Sequence, residues 1–168
     1  ATLWATLLLG PAGTAAAATW PLDPVPRVVH DFDPPRTRWG AGHRGVDLAG
    51  YRGQAVRAAA AGRVTHAAGL AGRGTVTVTH GAIRTTYEPL TPVVSRGDRV
   101  TEGQLIGHLQ GFGSHCFPRA CLHWGALRAQ TYLDPLVMLG LGPVRLVPLG
   151  GLADRSGPWQ PLVALLGL

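Results

Sequence analysis

His43 and Asp47 stand four positions apart in Gly42-His43-Arg44-Gly45-Val46-Asp47, and His123 follows far downstream in Cys121-Leu122-His123-Trp124-Gly125. Two imidazoles and one carboxylate suit a divalent transition metal, zinc above all. Three protein ligands leave a coordination position for water, as hydrolytic zinc sites do, whereas structural sites close with four. The set therefore predicts a zinc hydrolase. Taken singly, each residue has an ordinary alternative, because lone histidines often fill hydrogen-bonded surface or core positions.

Such residues need elements to position them, and the sequence offers strands. Gly45, Gly50 and Gly53 surround Asp47 and argue against a helix there; positions four apart also share a face in an extended segment. Cys121 and His123, two apart, must point to one face of a strand. Residues 75–80 alternate with period two, placing Val76 and Val78 on one face and the threonines on the other. Gly81-Ala82 is a tight hairpin into 83–87. Further strands are read at 28–30, 62–66, 104–109 and 121–127, with a turn at Gly97-Asp98. Short strands joined by short turns predict a mostly β fold, an antiparallel sandwich or partial barrel.

The chain has 168 residues, 24 of them Gly and 14 Pro, which suits strands and turns better than helices. All 15 basic residues are Arg, and Lys and Asn are absent; with so much Ala, Gly and Pro this reads as GC-rich coding. The net charge of +6 favours an acidic surface such as an anionic cell-wall polymer. No basic stripe is interleaved with aromatics, which argues against nucleic acid. Residues 1–20 read as the remnant of a signal peptide: an apolar run to Leu9, a break at Gly10-Pro11, and small residues Ala15 to Ala18 for cleavage. The rival reading, a membrane span, needs roughly 18 unbroken apolar residues. Secretion to the extracellular space or cell wall is the expectation. Residues 21–37 form an extended lead-in, 38–148 the β domain and 149–168 a tail without assigned function. Cys116 and Cys121 flank a turn-forming segment and are expected to form a disulfide in an oxidising compartment; reactive or metal-binding thiols are the alternative.

Gly-His-x-Gly-x-Asp at 42–47, a Thr-rich hairpin ending in His80-Gly81, Gly-Asp-x-Val-x-x-Gly at 97–103, and Leu-His-Trp-Gly at 122–125 follow one another in this order. That succession resembles the lysostaphin/LytM-type zinc endopeptidases over residues 38–136. The resemblance implies an antiparallel, sandwich-like sheet with a groove floored by zinc, and cleavage of peptide bonds in bacterial peptidoglycan. It makes His43 and Asp47 the ligands of the family's His-x-x-x-Asp motif and His123 the second His of its His-x-His motif. Two positions depart from the pattern. Cys121 replaces the first His of His-x-His, and Pro89 stands where a catalytic His follows the hairpin, after Tyr87-Glu88.

Neither replacement can do the proton work of an imidazole if Cys121 is disulfide-bonded. Glu88 is one substitute catalytic group, with a solvated strand-end carboxylate as its plainer reading. His115, beside Cys116, is the other, with an exposed loop histidine as its alternative. His80 reads as a hairpin-end residue, His66 and His108 as surface or packing residues, and His30 and Asp31 as background. Trp39 and Trp124 suit groove walls or core equally. Two other functions compete: a non-catalytic module that binds the wall or regulates hydrolases, and a structural zinc domain in which a free Cys121 thiolate is the fourth ligand.

Overall fold

The computed structural model describes residues 18–37 and 39–141. Eleven strands run in chain order: β1 (Val28–His30), β2 (Gly45–Gly50), β3 (Ala55–Arg57), β4 (Gly62–Leu70), β5 (Arg73–His80), β6 (Ile83–Glu88), β7 (Leu90–Pro92), β8 (Arg99–Val100), β9 (Leu105–Leu109), β10 (Ala120–Arg128) and β11 (Thr131–Leu133). A 3₁₀ turn, Pro135–Leu139, follows; Asp134 caps it by accepting the Leu136 N–H. The large sheet has the order β1-β2-β10-β6-β5-β4-β8, with β11 paired to β10, and a smaller sheet has the order β3-β9-β7. Every pairing is antiparallel. The mostly β, antiparallel expectation is met.

Alternation decides which face does what. Val46 and Leu48 of β2, Leu122 and Trp124 of β10, Tyr87 of β6, and Val76 and Val78 of β5 enter one core. Val56, Leu90, Ile106 and Leu109 of the small sheet join the same cluster, so one face of the large sheet is sealed. Each fully buried large apolar side chain contributes about 1.5–3 kcal/mol relative to exposure. The opposite face carries Asp47, His123 and Glu88. On β5 the period-two reading holds, with one qualification: Thr75 and Thr77 are themselves buried. They pair across the strands, Thr75 donating to Glu88 and Thr77 lying 3.5 Å from Thr86, so this face is polar and covered rather than solvated.

Part of the proline-ruled lead-in joins the fold. Its β1 is an edge strand, and Leu22 is fully buried in the core. Residues 18–20, assigned to the leader by the sequence, also pack on the domain: Thr19 N–H donates to the Ala59 carbonyl, and Ala18 and Trp20 lean on the core. The rest of the leader reading (1–17) and the C-terminal tail lie outside the described residues. Among the described residues no helix is long and apolar enough to cross a membrane.

Candidate metal centre

Register builds the floor of the site. His123 of β10 lies directly opposite Asp47 of β2 on one side and Glu88 of β6 on the other. His30 of β1 pairs with Asp47 through a register shift. One rung across four strands thus reads His30, Asp47, His123, Glu88. Cross-strand partners point to the same face, so these side chains line a groove without further arrangement. Gly45 keeps the rung accessible: a Cβ there would collide with the Trp124 carbonyl and come within 2.9 Å of His123 Cε1.

Loops supply the roof. An isolated bridge between Asp33 and His43 brings His43 down onto the rung. Gly42, at φ 154°, allows the close approach, since a Cβ would meet the Asp33 carbonyl at 2.6 Å. His43 Nδ1 donates to the Asp31 carbonyl at 2.7 Å, turning Nε2 towards the rung. His115 arrives as the residue just before the loop closed by the Cys116–Cys121 disulfide. Ser114 Oγ anchors that loop from inside, accepting the Cys116 and Cys121 N–H groups at 3.1 and 2.9 Å. The expected disulfide is therefore present, and it takes Cys121 out of any ligand set.

The donor atoms converge closely. Asp47 Oδ1 lies 2.9 Å from His123 Nδ1 and 3.1 Å from His43 Nε2, and those two nitrogens are 3.0 Å apart. Two donors on a tetrahedral zinc with bonds of about 2.05 Å would be about 3.3 Å apart. With Nδ1 of His43 spent on Asp31, a neutral ring turns the lone pair of Nε2 onto a carboxylate oxygen and a second imidazole nitrogen. A divalent cation satisfies such a triangle. The residues present therefore fit zinc. His115 Nδ1 stands 3.2 Å from the other carboxylate oxygen, and His30 Nδ1 lies 2.9 Å from it. Ligand atoms of His43, Asp47, His115 and His123 all lie within 4.8 Å of one another. His30, Asp47 and Cys116 form a second close group, but a disulfide sulfur is no thiolate donor.

Asp47 is 1% exposed. Burial alone would raise its carboxyl; the hydrogen bond from His123 and the electrostatic attraction of the His43, His115 and His123 rings outweigh it and hold the carboxyl well below the usual carboxylate range. The group is ionised at any working pH, as a ligand must be.

The structure brings His43, Asp47, His123 and His115 together. Glu88 shares the rung but not the cluster: Thr75 Oγ1 donates to it at 3.0 Å, and Arg73 lies 3.5 Å away. It borders a recess of about 230 Å³ that His123 also lines. His80, His66 and His108 lie outside the cluster. Trp124 belongs to the core and Trp39 is exposed. Sequence reasoning missed His30 and Asp31, which orient Asp47 and His43. His30 has no local signal, because its partner is set by the β1–β2 register, and Asp31 acts through its main-chain carbonyl, which any residue carries.

The chain is similar to several known proteins, and the solved ones share its fold. An uncharacterized protein of Mycobacterium tuberculosis (strain ATCC 25618 / H37Rv) is 46% identical over 135 residues, 77% of this chain and 54% of that protein. A counterpart in Mycobacterium bovis matches equally. The chain thus spans about half the length of the curated relatives it matches. Among solved structures, the catalytic domain of lysostaphin from Staphylococcus simulans superimposes with a TM-score of 0.60 at 24% identity, over 68% of this chain and 92% of that one. A zinc-containing peptidase from Vibrio cholerae gives 0.58 at 23% identity, over 71% and 38%. A chain of the SpoIIQ–SpoIIIAH pore-forming complex gives 0.62 at 21% identity, over 75% and 92%. Residues 41–135, the stretch that carries His43, Asp47, Glu88, His115 and His123, match peptidase family M23, and the chain belongs to that family.

Proposed function

We propose that this chain is an exported zinc metalloendopeptidase that hydrolyses peptide bonds in bacterial peptidoglycan. The observation that carries the reading is the triangle of His43 Nε2, Asp47 Oδ1 and His123 Nδ1, with every side between 2.9 and 3.1 Å, on the polar face of the sheet. These three residues would hold the metal. When bound, zinc supplies Lewis acidity to a scissile carbonyl and makes water a competent nucleophile near neutral pH. Asp31 and His30 keep His43 and Asp47 aimed, as outer-shell partners do. His115, part-exposed and 3.2 Å from Asp47, is placed to take a proton from water and return it to the leaving amine. Glu88 is the second candidate for that task, although Thr75 and Arg73 already engage its carboxylate. The leader-like composition and the disulfide support export.

Two measurements on one preparation test the reading. The protein should hold close to one zinc and release new amino groups from peptidoglycan, with activity lost to a chelator and restored by zinc. His123→Ala should strip the metal. A metal-free, inert wild type would end the proposal.

A second reading is favoured by one specific observation. The two positions at which this chain departs from the lysostaphin/LytM pattern hold a disulfide sulfur at Cys121 and a proline at 89, neither able to move protons. A module that keeps the fold and metal while only binding the wall or regulating hydrolases would show this. It predicts zinc-loaded protein retained by peptidoglycan without amino-group release.

A further inference from the structure

Beside the cluster, a cleft of about 710 Å³ opens between the segment entering β1, the end of β2 and the loop before β10. Three arginines line it from these three separate places, Arg27, Arg52 and Arg119, and no acidic residue does. Among the described residues their guanidinium groups have no hydrogen-bond or ion-pair partner, whereas Arg73 meets Glu88, and Arg57 and Arg63 meet main-chain carbonyls. Three uncompensated cations around one cavity repel one another and favour an anion between them. The floor is small-residued: Ala49 and Gly50 of β2 and Ala120 of β10.

The cleft abuts the metal cluster at His30. His30 lines it and also lies 2.9 Å from Asp47. Ala49 follows Asp47 by two residues on the same face of β2, a separation of about 7 Å. A peptide running from the cluster along β2 towards Ala49, with one bond at the cluster, would place a group about two residues away among the arginines. Planar guanidinium forks match carboxylates in bidentate geometry, and such charge-assisted bonds are stronger than neutral ones.

We infer that the cleft of Arg27, Arg52 and Arg119 is a carboxylate-binding subsite that selects an anionic peptide arm about two residues from the bond to be cut. The inference rests on the reading of the cluster as a peptidase site. It adds a substrate requirement that the metal ligands do not impose: a free carboxylate at a set distance from the reacting bond.

The test is equilibrium binding of a synthetic stem tetrapeptide with free side carboxylates, and of its twin with those carboxylates amidated, to zinc-loaded protein. The free acid should bind at least about tenfold more tightly than the amide. The triple variant Arg27→Gln/Arg52→Gln/Arg119→Gln should erase that difference at unchanged zinc content; all three side chains are exposed, and its unfolding midpoint is checked beside the wild type. Equal binding of acid and amide, or a triple variant that still discriminates, overturns the subsite. So does a poly(glycerol phosphate) that binds in an arginine-dependent way while the peptide does not, since the cleft would then serve a phosphodiester polymer. Because binding is read without turnover, loss of the peptidase reading alone would appear as carboxylate-selective binding without hydrolysis. Hydrolysis without carboxylate selectivity would sink the subsite alone.

Discussion

Two histidine-centred networks lie on this fold, and they are built to opposite ends. At the hairpin end of β5, His80 Nδ1 donates to the Ala61 carbonyl at 2.8 Å, and Nε2 lies 2.7 Å from the Thr85 hydroxyl. Thr85 is 3.0 Å from the Tyr87 hydroxyl, which accepts the Ala59 N–H. Burial lowers the His80 pKa and raises that of Tyr87, so both stay neutral. Every polar atom in that chain has a partner, and the network closes on the protein itself. Around Asp47, by contrast, the carboxylate is charged, four imidazoles crowd it, and donor atoms face one another across about 3 Å on the groove side. A closed neutral network holds strands together. An open charged one asks for something from outside.

That contrast can be broken by experiment, beginning with its charged half. Asp47→Ala should lower zinc affinity by more than the 10–100-fold typical of losing an outer-shell partner, and with it all metal-dependent hydrolysis. Titration against a chromophoric chelator measures this, and a variant still carrying stoichiometric zinc would remove Asp47 from the ligand set. His115→Ala should keep the metal but reduce peptidoglycan hydrolysis by roughly 10²–10⁴-fold, with Glu88→Gln much milder. If the ranking reverses, Glu88 is the group that handles protons. On the closed side, Tyr87→Phe removes the acceptor for the buried Ala59 N–H and should cost about 1–3 kcal/mol in denaturant unfolding while leaving zinc content intact. Loss of zinc from that variant would show that the two networks are not separate.

Smaller effects sharpen the same picture. Cys116→Ser opens a loop of about six residues, worth about 2 kcal/mol of stability by loop-closure entropy, and frees His115 from its tether. Hydrolysis should therefore fall while the metal stays bound; unchanged turnover would mean that the loop does not position a working group. The pH dependence belongs to His80. Its folded pKa lies below the ordinary 6.5, so the unfolded chain binds more protons as pH falls. The stability from its neutral form is complete above about 6.5 and lost below it, towards the folded value. Thermal melts of metal-free protein between pH 7.5 and pH 5 should show a fall that His80→Gln flattens.

Much of the fold follows from side-chain period. Cys121 and His123 share a face because they are two apart on β10, and Val76 and Val78 enter the core by the same rule. The small sheet was harder to read: β3 and β7 have three residues each, too few for an alternation to register. The sequence offers Glu88 as a substitute catalytic group, and the register sets it opposite His123. What the sequence does not hold is that Thr75 and Arg73 reach its carboxylate first. His30 shows the same limit, with a plain local context and a role created by its distant pairing.

The residue string alone determined the types of donor, their order, and the strand character that puts them on one face, because imidazole, carboxylate and two-residue alternation are local properties. Tertiary structure decided which side chains meet: the register that sets His123 between Asp47 and Glu88, the bridge that lowers His43, and the disulfide loop that delivers His115. It also gathered three arginines from residues 27, 52 and 119 around one cleft. The reason is physical. Coordination and charge pairing act over a few ångströms of space, and positions 17 to 80 residues apart come that close only once the strands have paired.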